Sequence, residues 1–331
     1  MNLWNLGVDV SKARLDVALL GETGQTETAE FSNDRAGHGK LLRWLKKKTK
    51  DQPVHACLEA TGVYAFEAAE ALHAAGHAVS VLNPARPAAY AKSQLRRNKT
   101  DKLDAHLLAE FCRTQEPPLW TPPGPEFALL QALIRRLEDL DGMRQAETNR
   151  LEAFQRTPEL VKDVREHIGF LEQQMEDIRR EIDDHIDRHP GLKHQRELLA
   201  SIPGVGKLTA AKLLSEVPNL ATFENAKQLA AYAGLNPGQR QSGNSRKRSS
   251  ISKVGNGNLR RSLYMPAIVA KRYNPVVRAF CQRLEEKNKL PMEQVVVAMR
   301  KLLHIAYGVI KNDTPFDPHW EQNHEKQAVA S

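Results

Sequence analysis

The sequence predicts an α/β domain at the amino terminus followed by two mostly helical regions. Three observations predict it. Short apolar runs rich in Val and Leu alternate with amphipathic helical patterns as far as about residue 115. A sustained three/four spacing of apolar residues then runs from Val161 to Ile182. The chain has 331 residues, more than the roughly 250–300 at which a single hydrophobic core stops growing.

The elements follow in order. Residues 3–10 read as a strand ending at the turn-like Ser11-Lys12-Ala13, residues 15–20 (LDVALL) as its antiparallel partner, and residues 26–31 as a third short strand. A helix over about 37–48 comes next, then a strand at 55–59, a helix over about 64–75 and a strand at 78–82. The runs Cys57-Leu58 and Val79 to Leu82, flanked by helical patterns, suit buried central strands. Three strands in a meander, then helix, strand, helix, strand, helix is the order of an RNase H type fold.

The middle of the chain predicts a helical hairpin. Leu130, Leu133, Leu137, Leu140, Leu151 and Phe154 line one arm and Thr157-Pro158 makes the corner. Val161, Val164, Ile168, Leu171, Met175, Ile178 and Ile182 alternate as a coiled-coil seam along the other. At roughly 1.5–3 kcal/mol per buried side chain, these residues must face a partner surface. The spacing is equally compatible with an intramolecular hairpin and an intersubunit coiled coil. After Pro190 a third, mostly helical region contains the glycine-bearing turn 201–207 (SIPGVGK) and a basic loop at 236–258. Expected domains are therefore 1–118, 125–190 and 195–312, with a frayed tail at 313–331.

Forty-eight Lys and Arg against forty Asp and Glu leave a net charge of +8. The distribution matters more than the total. Residues 225–284 carry twelve bases and no acid, which predicts a site for a polyanion. Residues 131–190 carry fifteen acids and ten bases. Cys57, Cys112 and Cys281 are odd in number and far apart, which excludes a disulfide framework and a CxxC zinc site. No apolar run approaches the roughly 18 residues of a membrane helix, so the expectation is a soluble, cytoplasmic protein with no membrane partner.

Four carboxylates carry the chemistry. Asp9 ends the first strand in GVDVS, Glu59 ends the central strand in LEATG, and Asp101 and Asp104 lie three apart in KTDKLD, which places both on one helical face. Together they would repel, and two divalent cations roughly 3.5–4 Å apart would offset the charge and serve displacement at phosphorus. Oxygen ligands favour Mg2+ or Mn2+ over zinc. Taken singly, Asp9 also suits a turn cap and Asp101 a first-turn helix acid.

The motifs GVDVSK, LEATG, NKTDKLDA, IPGVGKLTA and the late QSGNS loop followed by LRRSLYMPA occur in this order along nearly the whole chain. In this the sequence resembles the DEDD transposases of bacterial insertion sequences, the insertion-sequence one-ten family. The resemblance implies a RuvC-like nuclease domain with Asp9, Glu59, Asp101 and Asp104 as the metal tetrad. It further implies a C-terminal transposase domain whose serine attacks DNA, and guidance by a structured bridge RNA. The matching serine position is Ser242, with Ser245 and then Ser249 as rivals.

A serine hydroxyl needs a base or metal to act at neutral pH, and no histidine lies near Ser242 in sequence. Expected nucleic-acid contacts are Arg96, Arg97, Lys99, Lys207, Arg240, Arg246, Lys247, Arg248, Lys253, Arg260 and Arg261. The turn at 202–209 resembles a helix-hairpin-helix, in which glycines let backbone N–H groups approach phosphate. A P-loop is excluded, because Leu208 follows Lys207 and Ser201 stands where the first glycine is required. His185, His189 and His194 lack a thiolate partner and read as a polar helix end. The expectation is a transposase or recombinase acting on donor and target DNA as a dimer or tetramer, with a site-specific invertase and a junction-resolving nuclease as alternatives.

Overall fold

The computed structural model describes residues 4–319 except 22–23, 61–63, 95–100, 155, 219, 239–240, 243–244, 247–249 and 252–253; at 101–103, 222, 237–238, 241–242, 245–246 and 250 only the backbone is described. The predicted contacts Arg96, Arg97, Lys99, Arg240, Lys247, Arg248 and Lys253, and the rival Ser249, fall outside the described residues. The chain divides into two compact units, 1–122 and 123–331.

The first unit is a five-stranded mixed sheet of order β3-β2-β1-β4-β5. Strands β1 (Asn5–Val10), β2 (Arg14–Leu20) and β3 (Thr26–Ser32) form an antiparallel meander, and β4 (His55–Glu59) and β5 (Ala78–Leu82) add parallel to β1. Alternation sorts the strands into two faces. Leu6, Val8, Leu15, Val17, Leu19, Ala56 and Leu58 pack in one core with residues of helices α1 (Arg35–Thr49) and α2 (Tyr64–Ala74). α1 starts where the Asp34 carboxylate accepts from the Gly37 amide at 2.7 Å. A short helix, α3 (Ala85–Ser93), follows β5.

The opposite face is covered by α4 (Asp101–Gln115), where Ala18 and Leu20 meet Ala105 and Ala109, and Cys57 and Leu82 meet Leu108, Phe111 and Cys112. Small residues let this helix lie very close. A Cβ on Gly7 would stand 1.9 Å from the Ala105 carbonyl oxygen and 2.4 Å from the Ala109 amide nitrogen.

The second unit is helical. α5 (Pro125–Ala153) and α6 (Pro158–Asp187) pack on each other, with Leu130, Ile134, Leu137 and Leu140 facing a core shared with Leu171, Met175 and Ile182. Leu171, Met175 and Ile182 of the seam thus pack within the chain. Pro125 and Pro158 stand in the first turns, where a missing N–H costs nothing. α7 (Pro190–Ala200), α8 (Lys207–Glu216), α9 (Ala226–Tyr232), α10 (Gly257–Ser262), α11 (Tyr264–Tyr273), α12 (Pro275–Glu285) and α13 (Pro291–Lys311) complete the unit around the same core. The expected frayed tail is corrected in its first part. Phe316 packs on this core, its amide donates to Ser201 Oγ at 2.8 Å, and Asp313 pairs with His194 at 2.6 Å. An aromatic side chain with an apolar seat outweighs the turn-forming prolines around it.

His185 Nε2 lies 2.8 Å from the Glu126 carbonyl and His189 Nδ1 2.7 Å from the His185 carbonyl. The three histidines therefore serve helix ends and packing.

Candidate active site

Asp9 lies one residue from the end of β1 and Glu59 ends the neighbouring parallel strand β4. The register Gly7↔Cys57 and Val8↔Leu58 carries Asp9 and Glu59 to adjacent places on the face covered by α4. α4 runs antiparallel to both strands. Its Ala105 and Ala109 backbone sits over Gly7, while Cys112 Sγ, further along, donates to the His55 carbonyl at the start of β4 at 3.3 Å. The first turn of α4, with Asp101 and Asp104, therefore lies at the carboxyl edge of the sheet where Asp9 and Glu59 end their strands. Asp9, Glu59 and Asp104 are each half-buried, and all three engage partners in the fold.

The edge gathers these acids without closing them into a shell. Among the described side chains, no three carboxylates have oxygens all within 4.8 Å of one another, and the Asp101 side chain lies outside them. The donor set is all oxygen, partly shielded from water, and carried by two strand ends and one helix face. That composition fits a hard divalent cation.

A different set does meet that spacing: His55, Cys57 and Cys112, all buried. It belongs to the core at the other end of β4, about 13 Å of strand from Glu59. His55 Nε2 lies 2.8 Å from Ser80 Oγ, which in turn faces the Pro117 and Pro118 carbonyls at 3.1 and 2.9 Å. The hydrogen bond with Cys57, and then burial, push the Cys112 thiol far above its usual range. All three side chains are buried, and His55 and Cys112 are hydrogen-bonded within the core.

Sequence reasoning missed a fifth acid at the same edge. Asp16 on β2 stands directly opposite Asp9. It is 5% exposed, and Arg14 Nε donates to its Oδ2 at 2.9 Å. The signal was present in LDVALL, where one acid interrupts an apolar strand.

In the second unit, Ser242 lies in a small ribbon. β6 (Pro237–Gly238) pairs with β9 (Ser250–Ile251), and inside it β7 (Gln241–Ser242) pairs with β8 (Ser245–Arg246), with Ser242 opposite Ser245. The ribbon's return is anchored. The Asn256 amide donates to the Tyr232 carbonyl at 2.7 Å, its side-chain oxygen accepts from the Leu259 amide at 2.9 Å, and its Nδ2 donates to Glu216 Oε2 at 2.7 Å. Gly255 has φ +141°, and a Cβ there would stand 2.2 Å from the Tyr232 carbonyl oxygen, so only glycine fits.

Of the predicted cations in this unit, Lys207 is exposed at the start of α8. Arg261 is exposed and its guanidinium donates to Asn258. Arg260 is half-buried, with Nη1 donating to the Ala233 carbonyl at 3.0 Å. The turn between α7 and α8 holds Gly204 at φ +102° against Ala270, whereas a Cβ on Gly206 would meet nothing within 4 Å.

Residues 196–282 match the family model described as "Transposase IS116/IS110/IS902 family", and residues 6–156 match the DEDD transposase model of IS110. The pilin gene-inverting proteins of Moraxella bovis and Moraxella lacunata are 35% and 36% identical over 316 and 317 residues, in each case 94% of this chain and 97% of the relative. The transposase for insertion sequence element IS1328 of Yersinia enterocolitica is 27% identical over 282 residues, 73% of this chain and 79% of the relative. An α/β unit edged with acids and a helical unit with a long acid-free basic stretch, each matched in this way, define a DNA transposase or recombinase. The chain belongs to the IS116/IS110/IS902 family of transposases. Among the described residues no helix is long and apolar enough to cross a membrane.

Proposed function

We propose that this enzyme cuts and rejoins DNA with a RuvC-like carboxylate centre and a serine nucleophile, as the transposase of a bacterial insertion sequence. The single observation that carries the reading is the meeting of Asp9, Glu59 and the first turn of α4 at one sheet edge, set by the α4 backbone lying on Gly7. Asp9, Glu59, Asp101 and Asp104 would hold two Mg2+ or Mn2+ ions. When bound, such ions supply Lewis-acid stabilisation of charge on phosphate oxygens.

The chain's own residues do the rest. Ser242 Oγ attacks the scissile phosphorus and gives up its proton; the P–O bond to the leaving deoxyribose oxygen breaks, and that oxygen takes a proton. A hydroxyl of the partner strand then displaces the serine and restores the phosphodiester. Arg246, Lys247 and Arg248 hold the phosphate and offset developing charge. Lys207 and the open Gly206 turn, with Arg240, Lys253, Arg260 and Arg261, and with Arg96, Arg97 and Lys99 in the first unit, bind backbone phosphates of donor and target DNA and of a bridge RNA. Catalysis shared between units of different subunits calls for a dimer or tetramer.

The test is recombination in vitro with RNA from the element's flank, with and without Mg2+. Asp9→Ala, Asp104→Ala and Ser242→Ala each abolish cleavage, and Ser242→Ala also abolishes the protein–DNA adduct. Undiminished cleavage by Asp9→Ala, or an adduct mapped to Ser245 or Ser249, overturns the assignment. A second reading, site-specific inversion, is favoured by the names of the Moraxella relatives. It uses the same residues and predicts that the substrate is an invertible segment and not the ends of a mobile element.

A further inference from the structure

The strand register sets four acids in one row. Glu30 on β3 pairs with Asp16 on β2, Asp16 pairs with Asp9 on β1, and Glu59 of β4 lies beyond Asp9. Directly opposed residues of an antiparallel pair share a face, with Cβ atoms about 4.5–5.5 Å apart. Like charges so placed destabilise a sheet. Asp16 is nonetheless 5% exposed, on the face where its strand neighbours Ala18 and Leu20 pack under α4. Its described counter-ion is Arg14, two residues before it on the same face. Arg14 Nε donates to Asp16 Oδ2 at 2.9 Å and lies 3.6 Å from Glu30 Oε1, with its side chain 42% exposed. A core position would be better served by an apolar side chain, because a buried carboxylate pays a desolvation penalty that one ion pair does not fully return.

We propose that Asp16 is a positioning residue for the carboxylate centre. Its charge, one strand spacing from Asp9, deepens the negative potential that draws a divalent cation to the sheet edge. The paired Arg14 guanidinium partly offsets that charge. Glu30, on the exposed edge strand, shares the hold on Arg14. Asp16 itself touches neither substrate nor reacting atoms. The inference rests on the reading of Asp9, Glu59, Asp101 and Asp104 as the metal-holding set.

The experiment compares the full-length wild type with Asp16→Asn, which keeps shape and removes charge, and Asp16→Glu, which keeps charge. Mn2+ binding to the protein alone is followed by electron paramagnetic resonance, melting by circular dichroism, and cleavage over a Mg2+ titration. The expected result is about tenfold weaker Mn2+ binding and a matching rise in the Mg2+ midpoint for Asp16→Asn, with cleavage largely recovered at saturating Mg2+. Asp16→Glu recovers part of the binding loss. Arg14→Gln combined with Asp16→Asn binds Mn2+ more tightly than Asp16→Asn alone, since one positive charge beside the row is gone. A lowered melting temperature with unchanged Mn2+ affinity and Mg2+ midpoint in Asp16→Asn marks a packing role and overturns the proposal. If Asp16→Asn fails to fold, Arg14→Gln alone decides, because it unmasks the Asp16 charge: tighter Mn2+ binding supports the proposal, and weaker or unchanged affinity contradicts it. Failure of the underlying reading looks different, because Asp9→Ala would then leave both Mn2+ binding and cleavage intact.

Discussion

Replacing Gly7 by alanine places a methyl carbon 1.9 Å from the Ala105 carbonyl oxygen, 2.4 Å from the Ala109 amide nitrogen and 2.9 Å from Leu108 Cβ. Ordinary contact begins near 3.4 Å, so α4 must retreat by about 1.5 Å from β1. Two of the three opposing atoms are backbone, and no rotamer change relieves them. Overpacking of this kind costs about 1–3 kcal/mol or more. The displaced helix also carries Asp101 and Asp104, and a misplacement of roughly 1 Å in a catalytic constellation lowers rate by about 100-fold. The expected outcome for Gly7→Ala is a lower urea midpoint and at least a ~100-fold loss of Mg2+-dependent cleavage. Gly39→Ala is the control, because its Cβ would meet only Arg43 Nη1 at 3.6 Å within α1. It should gain about 0.5–1 kcal/mol and keep full activity. Wild-type midpoint and rate in Gly7→Ala would refute the close docking of α4 on β1 and the shared edge derived from it.

Two further outcomes follow from the second unit. Arg196 is 5% exposed and its guanidinium spans Asp183 at 2.6 Å and Asp187 at 2.9 Å, pinning α7 to the end of α6. The two acids are about half exposed and regain water when released, so Arg196→Met should lower stability by only about 1–2 kcal/mol; an unchanged urea midpoint would show that the pin adds nothing. His304 on α13 is held below its ordinary value of 6.5, first by burial and then by Arg300, Lys301 and Lys227. The unfolded chain therefore takes up this proton first, and stability falls as the pH drops through 6.5 toward the lower folded value. Thermal melts from pH 8 to 5 should show that slope in the wild type and a shallower one in His304→Leu; equal slopes would remove His304 from the account.

Much of the first unit was legible because local pattern and final structure agree there. The strands at 55–59 and 78–82 are found as predicted, since both are short apolar runs between helical patterns. Thr157-Pro158 marks the corner between α5 and α6 because proline can only open a helix. Asp16 was missed because its place in the row of acids is set by the ladder, which brings Asp9, seven residues back, directly opposite it. The anchoring of Phe316 was missed for a similar reason, as the Ser201 hydroxyl that holds its amide stands 115 residues back.

By itself the sequence determined the identity of the elements, the acids that end β1 and β4, the acid-free basic stretch and the two-arm hairpin. These depend on side-chain period, caps and charge, which act over a few residues. Only the tertiary structure decided that α4 lies antiparallel across Gly7, that Leu171, Met175 and Ile182 share a core with α5, and that Asp9 faces Asp16. Those results depend on which surfaces fit at close range, and a missing Cβ or a strand register acquires meaning only when the opposing atoms are in place.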